Sequence, residues 1–295
     1  MNRWIISPNI VEIHSNYLPK KGFAICKYNR EYNKSLFEYS KTKSEYVYKC
    51  KKNEIKIPKK NDGHYQYYFL NNDVIYYERK LGPMTLKFSY DLISKTFNFD
   101  KINTIIPFEI GQIWPIGLHL SNIISVDLLM NRNLLLIHGA ALEYNDRTIC
   151  ILSPSRTGKT SLINSLIKKG AKYISEDIIL TDGKKVYLIP PNNNSFFHNT
   201  KNLIDISKMD SKIDELVFVT INKGGELYDK KILLSLLNLY SNRIPYEMDK
   251  FIQSIFYFQS VNYKKLEMKR SRIIKKILKN KISITHDLGC IKWLK

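Results

Sequence analysis

The stretch that decides the fold is LLLIHGAALEYNDRTICILSPSRTGKTSLINSLIKKGAKYISEDIIL, which runs from Leu134 to Leu180. It contains, in order, an apolar run that predicts a strand, the loop SPSRTGKT, a helical pattern of apolar residues, and a second predicted strand that ends in two carboxylates. A strand, a glycine-containing loop and a helix in this order are the context that a phosphate loop requires. The segment therefore predicts a nucleotide-handling core.

The loop itself predicts a site for ATP and Mg²⁺. Its residues are Ser153, Pro154, Ser155, Arg156, Thr157, Gly158, Lys159 and Thr160, and Ser161 follows in the helix. Phosphates need inward-pointing backbone N–H groups, which favours Gly158, and the helix N-terminus adds partial positive charge. Lys159 is predicted to reach the terminal phosphates and Thr160 to bind the metal, whereas Ser153 stands where the usual pattern has glycine. The alternative is a plain turn at Gly158 and a solvated Lys159.

Two carboxylates, Glu176 and Asp177, follow the predicted strand Ala171–Ser175. Ligands of open α/β sheets lie at the carboxyl ends of the strands, so both side chains are expected to face the phosphates. One carboxylate beside the metal and one near the acceptor hydroxyl is the division of roles that phosphoryl transfer needs. The alternative is an exposed or capping acidic pair at a strand end.

The pair His138-Gly139, the loop SPSRTGKT and the pair Glu176-Asp177 together resemble the catalytic core of the HPr kinase/phosphorylase family in order and spacing. The resemblance covers residues 134–180. Glu176 stands where the family has aspartate, and the glycine-rich signature of the bifunctional members does not follow downstream. The chain is thus more similar to divergent relatives, some of which phosphorylate serine or threonine of precursor peptides.

By this resemblance, Glu176 is the general base, Asp177 supports the metal and the acceptor, and His138 tunes them. With Lys159 they form the expected catalytic set, and Thr160 and Asp177 are the expected metal ligands. Taken alone, a histidine such as His138 is more often a satisfied buried side chain than a catalytic one. The resemblance also implies a homo-oligomer.

Length and composition agree with a globular protein. The chain has 295 residues and a hydrophobic content of 44%. We expect an α/β fold: a P-loop, HPr kinase-like core of mixed sheet and flanking helices in residues 111–295, and a β-rich domain in residues 1–110. The Pro- and Gly-rich segment 105–117 marks the junction. Without a signal-peptide pattern or a long apolar run, the prediction is a cytoplasmic protein with no membrane span.

Local patterns predict four strands at 65–70, 74–80, 84–90 and 96–99, arranged as an antiparallel meander with turns at Asn71-Asn72-Asp73 and Leu81-Gly82-Pro83. The aromatic residues there are interpreted as sheet faces rather than base-stacking platforms. Helices are predicted at 118–130 and 270–279, the latter with an apolar stripe and many lysines. Four scattered cysteines predict neither a zinc site nor a disulfide framework.

The formal net charge of +20 predicts attraction to anions without choosing among nucleotides, nucleic acids and acidic peptides, and part of it is explained by a solvated lysine-rich surface. The predicted function is transfer of the γ-phosphate of ATP to a Ser or Thr hydroxyl of a peptide or protein. Two alternatives stay open: a kinase of a small hydroxylated metabolite such as free serine, and a nucleotide-dependent nucleic-acid-binding protein.

Overall fold

The computed structural model describes residues 2–15, 44–59, 62–81, 84–99, 116–153, 158–189, 209–219, 231, 233–235, 237, 250–260 and 262–285. The first group of elements is β1 (Asn2–Ser7), β2 (Val11–Ser15), β3 (Tyr46–Lys52), β4 (Gly63–Tyr65), β5 (Tyr68–Asn71), β6 (Val74–Leu81), β7 (Met84–Asp91), β8 (Thr96–Phe99) and α1 (Ile116–Asp127). A π-helical turn, Leu128–Arg132, continues α1.

The second group begins with β9 (Leu135–His138), β10 (Ala140–Tyr144), β11 (Arg147–Leu152), α2 (Lys159–Lys168), β12 (Lys172–Ser175), β13 (Ile178–Thr181) and β14 (Lys185–Tyr187). It ends with β15 (Asp210–Lys212), β16 (Glu215–Val219), α3 (Lys250–Phe258), α4 (Tyr263–Ile277) and β17 (Lys281–Thr285). The chain therefore has a mixed α/β organisation.

The first compact unit takes in the described residues of 1–26, 40–126 and 245–263. Its eight-stranded sheet has the order β1-β2-β3-β8-β7-β6-β5-β4, with parallel pairing only at β2–β3 and β3–β8 among the described strands. The predicted meander is confirmed as β5 to β8. Asn72 and Asp73 both adopt positive φ, 46° and 61°, which is the backbone that a two-residue hairpin turn requires. Gly82 and Pro83, in the other predicted turn, lie outside the described residues.

Aromatic side chains hold this sheet together across its strands. The rings of Tyr77 and Phe88 lie directly opposite each other and stack at 4.7 Å, and Phe88 stacks on Phe97 at 5.0 Å. Cross-strand aromatic pairs stabilise a sheet beyond the area that they bury. These aromatic residues therefore act in packing, as the sequence indicated.

The two compact units do not follow a single boundary along the sequence. Residues 116–126 and the described residues of 245–263 group with the N-terminal sheet, although they follow residue 110. The reason is tertiary: the ring of Tyr65 lies 5.1 Å from that of Tyr257 in α3, and the Tyr65 hydroxyl donates a hydrogen bond of 3.1 Å to the Gln253 side chain. A segment remote in sequence thereby completes the first unit.

The second unit takes in the described residues of 127–244 and 264–295 and contains two sheets. One is mixed and five-stranded, in the order β12-β10-β11-β16-β17, and the other is antiparallel and four-stranded, in the order β15-β14-β13-β9. Helix α2 connects β11 to β12 and buries Leu162, Ile163 and Leu166. This route brings the end of β11, the start of α2 and the end of β12 into one unit.

Two cysteines lie in the cores of the units. Burial raises the pKa of both the Cys50 and the Cys150 thiol to about 12, and the Asp214 carboxylate adds a smaller upward shift at Cys150. Both therefore stay protonated and act as small apolar side chains. Cys26 and Cys290 lie outside the described residues. Within the described ranges, no helix combines the length and the apolar composition that crossing a bilayer needs.

Candidate active site

Gly139 is the point at which the chain passes from one sheet of the second unit to the other. Strand β9 ends at His138 in the four-stranded sheet, and β10 begins at residue 140 in the five-stranded sheet. A Cβ atom at residue 139 would lie 2.7 Å from Leu152 Cδ2, 2.8 Å from the Ile151 carbonyl oxygen and 2.8 Å from Ile179 Cδ1. Only glycine fits, so this close crossing explains why glycine follows His138.

Replacing Gly139 by alanine is expected to lower the free energy of unfolding by about 1–3 kcal/mol, because the added methyl group meets a backbone carbonyl that cannot turn away. Urea unfolding of both proteins measures the difference. The matched control is Gly63→Ala, where the new Cβ would lie 3.3 Å from a Phe258 ring atom and the change is expected to stay below about 0.5 kcal/mol. Equal stability of Gly139→Ala and the wild type would contradict the packing argument.

The structure describes residues towards both ends of the predicted phosphate loop, Ser153 and Gly158. Ser153, directly after β11, is fully buried, and its hydroxyl has no hydrogen-bond partner among the residues that the structure describes. Pro154, Ser155, Arg156 and Thr157 lie outside those residues. Gly158 has a φ of 95° and caps α2 at its N-terminus, and the Leu162 N–H donates to the Gly158 carbonyl at 3.0 Å.

The predicted helix after the loop is present as α2, and it begins at Lys159, within the last residues of the predicted loop. The first N–H groups of a helix have no partner within it, so Lys159, Thr160 and Ser161 present the donors that an anion can use. Thr160 and Ser161 are exposed, and a Cβ at Gly158 would have no atom of the described residues within 4 Å. The first residues of α2 therefore include two exposed hydroxyl side chains.

The acidic pair lies in the tight connection between β12 and β13. Asp177 has a φ of 64°, a left-handed conformation that aspartate tolerates better than most residues. Its carbonyl oxygen accepts a hydrogen bond of 3.2 Å from the Gly139 N–H, and the next residue, Ile178, pairs with His138 in the β13–β9 ladder. Sheet pairing therefore places Asp177 beside the His-Gly crossing.

Three of the predicted site residues converge. Lys159 Nζ lies 2.9 Å from His138 Nε2 and 3.8 Å from Asp177 Oδ1. A charged ammonium group only donates hydrogen bonds, so His138 Nε2 accepts and the imidazole carries its proton on Nδ1. The imidazole of His138 is consequently neutral when it contacts Lys159.

The side chains of Lys159, His138 and Asp177 differ in how much of their surface is exposed to solvent. The Lys159 side chain is 10% exposed and His138 is 9% exposed, whereas 46% of the Asp177 side chain is exposed. A nearly buried ammonium needs hydrogen-bond and charge partners, which His138 and Asp177 supply. The carboxylate keeps an open side, so Asp177 can hold Lys159 and still take a further ligand.

Glu176 directly precedes Asp177 and is half-buried. The residue before it, Ser175, was not singled out from the sequence. Its hydroxyl is buried without a hydrogen-bond partner among the described residues, and it lies opposite an irregularity in the β10–β12 pairing at Ala141. Such irregularities are frequent beside functional sites, and a small hydroxyl next to an acidic pair is the only signal that the sequence offers for Ser175.

The arrangement fits the magnesium complex of a nucleotide. Mg²⁺ takes oxygen ligands, and in phosphoryl-transfer sites one or two carboxylates and the phosphates themselves complete its shell. Asp177 and Thr160 would supply such oxygens, and Lys159 would supply the point charge for phosphate. Within the described part of the chain, no three His, Cys, Asp or Glu side chains gather closely enough to hold a metal unaided.

Comparisons with known proteins leave the family of this chain open. No family model matches the sequence, and no curated protein matches it significantly. Among solved structures, the Hpr(Ser) kinase/phosphatase from Coxiella burnetii is similar at 14% identity and a TM-score of 0.24, over 32% of this chain and 71% of that chain. A TM-score at this level carries no argument about activity.

Proposed function

We propose that the chain is an ATP-dependent kinase that transfers the γ-phosphate to a Ser or Thr hydroxyl of a peptide or protein. The observation that carries the proposal is the convergence of Lys159, His138 and Asp177 at the N-terminus of α2. A lysine in the first turn of a helix that follows a glycine at positive φ is the element that holds transferred phosphates in phosphate-loop enzymes.

ATP supplies the phosphoryl group when it is bound. Backbone N–H groups at the start of α2 and the loop 153–161 would hold its phosphates, and Lys159 would neutralise their charge. Thr160 and Asp177 would hold Mg²⁺. Arg156 would brace the same phosphates from within the loop.

Proton transfer falls to the acidic pair. Glu176 would accept the proton of the acceptor hydroxyl, as a carboxylate does when it acts as a general base. The Asp177 carboxylate lies 3.8 Å from the Lys159 ammonium and pairs with it. The neutral His138 orients Lys159 without adding a second positive charge. Each residue of the predicted set thereby has a separate role.

The openness of the site favours a large acceptor. The Asp177 side chain is about half exposed, whereas a metabolite kinase typically encloses its small substrate. The net charge of +20 would also raise the local concentration of an acidic peptide. Both observations favour a peptide or protein hydroxyl over a free amino acid.

The test is phosphoryl transfer, measured by mass spectrometry, from Mg-ATP to peptides that carry Ser, Thr or Ala at one central position. The wild type is expected to add one phosphoryl group to the Ser or Thr peptides only. Replacing Glu176 by glutamine is expected to slow transfer by about 10²-fold and to leave ATP binding intact, because the amide cannot take the proton.

Glu143→Gln is the matched control. It removes another carboxylate from the second unit, one that pairs with Lys172 at 3.7 Å, and should transfer at the wild-type rate. Unchanged transfer by Glu176→Gln would refute its role as base. Intact ATP binding with transfer to free serine but to no peptide would replace the proposal with the metabolite kinase.

A further inference from the structure

A concavity of about 370 Å³ lies on the second unit, and its described lining includes no residue of the loop 153–161 or of the acidic pair. Five cationic side chains and one amide line it: Lys269, Arg272, Lys275, Lys276, Lys279 and Asn133. Ile273 is the other lining residue, so the described lining contains no acidic and no aromatic side chain. Its volume lies within the range of small-ligand sites.

The helix dipole explains only part of this clustering. Basic residues near the C-terminus of a helix are stabilised there, which accounts for Lys275 and Lys276 in the last turn of α4. Lys269 and Arg272 lie earlier in the helix, beyond the reach of that effect. Like charges three and four residues apart on a helix repel each other, so the cluster lowers the stability of the helix unless a bound anion offsets the repulsion.

Glu267, the one acidic residue of α4, pairs with Arg270, which is not among the lining residues of the concavity. Arg270 is 8% exposed and makes a bidentate contact with Glu267. The Lys269 ammonium donates to the carbonyl oxygen of Met130, in the middle of the π-helical turn, and this fixes one side of the concavity. The positive charges that line the concavity therefore face no carboxylate in that lining.

The wall of the concavity is firmly seated. Ile273, Ile274 and Ile277 of α4 are buried. The turn between β13 and β14 packs so closely that a Cβ at Gly183 would lie 2.8 Å from the Ile273 carbonyl oxygen and 2.8 Å from Lys276 Cβ. The cationic side chains therefore project from a helix that is well packed against its neighbours.

We propose that this concavity binds a compact polyanion, namely an oligophosphate with several adjacent phosphate groups. Clustered ammonium and guanidinium donors match phosphate oxygens, and the concave shape suits a compact ligand. A single-stranded nucleic acid instead uses a basic track with aromatic side chains on which bases stack, and the described part of this lining contains no aromatic side chain. The site is independent of the proposed kinase activity.

Titration calorimetry with inorganic tripolyphosphate tests the proposal. Arg272→Gln/Lys276→Gln is expected to weaken binding about tenfold, because each charge-assisted contact in a solvent-open site contributes modestly. Lys275→Gln/Lys279→Gln is an independent second pair with the same expectation. Lys264→Gln/Lys265→Gln removes the same charge from exposed positions of α4 outside the concavity and should change binding by less than about twofold.

Three outcomes would overturn the proposal. An equal loss in the pocket pairs and in the control pair would show general attraction to a positive surface. Loss of all tripolyphosphate binding in Lys159→Ala would place the anion at the start of α2. Tighter binding of a thymidine oligonucleotide than of tripolyphosphate, with the same dependence on Arg272 and Lys276, would show a nucleic-acid surface.

Discussion

Replacing Lys159 by alanine is expected to reduce phosphoryl transfer by about 10²–10³-fold, the cost of removing one preorganised charge from a transition state. Lys159 has this effect because its ammonium lies nearly buried between His138 Nε2 and Asp177 Oδ1 at the start of α2. Alanine keeps the helix but leaves the phosphates without a point charge. The measurement is the rate of peptide phosphorylation at saturating ATP.

Lys168→Ala is the matched control, because Lys168 is the exposed last residue of the same helix. It should transfer phosphate at the wild-type rate. The circular dichroism of both variants should match that of the wild type, since alanine favours helix at both positions. Full transfer by Lys159→Ala would contradict the kinase proposal. Tripolyphosphate binding at the concavity does not involve Lys159 and is expected to be unchanged in this variant.

Replacing both Arg147 and Lys281 by methionine is expected to lower the free energy of unfolding by about 3–5 kcal/mol. Glu215, the first residue of β16, is 1% exposed and lies 3.2 Å from Arg147 Nη2 and 3.4 Å from Lys281 Nζ. It also accepts a hydrogen bond from the Ser283 hydroxyl. Without the two cations, the buried Glu215 carboxylate keeps its hydrogen bond from the Ser283 hydroxyl but loses the two positive charges that balance its own charge. Urea unfolding measures the loss.

The triple variant with Glu215→Gln added separates charge from packing. Removal of the buried charge should restore most of the lost stability, because methionine retains the apolar volume of the stems. Lys185→Met, which breaks an exposed pair with Asp210 at 2.9 Å, should leave stability almost unchanged. A double variant as stable as Lys185→Met would show that Glu215 does not depend on its cations.

Local sequence determined the elements that depend on neighbours in the chain. Alternation of apolar residues and the Asn72-Asp73 turn were sufficient for the β5–β8 meander, because hairpins form from adjacent segments. The loop pattern predicted a helix directly after the loop, and α2 begins at Lys159, since a glycine at positive φ ends the loop. The helix predicted at 270–279 begins earlier, at Tyr263, because its buried residues Leu266 and Arg270 belong to tertiary packing.

The tertiary structure alone decided which residues meet. His138 and Asp177 are far apart in sequence, and only the pairing of β9 with β13, in a different sheet from β10 and β12, places them beside Lys159. Tertiary packing also brings Glu215 to Arg147. It likewise brings the cations that line the concavity close to Asn133, which follows the π-helical turn. Local patterns specify secondary structure, whereas such long-range contacts depend on strand order and packing, which no single segment encodes.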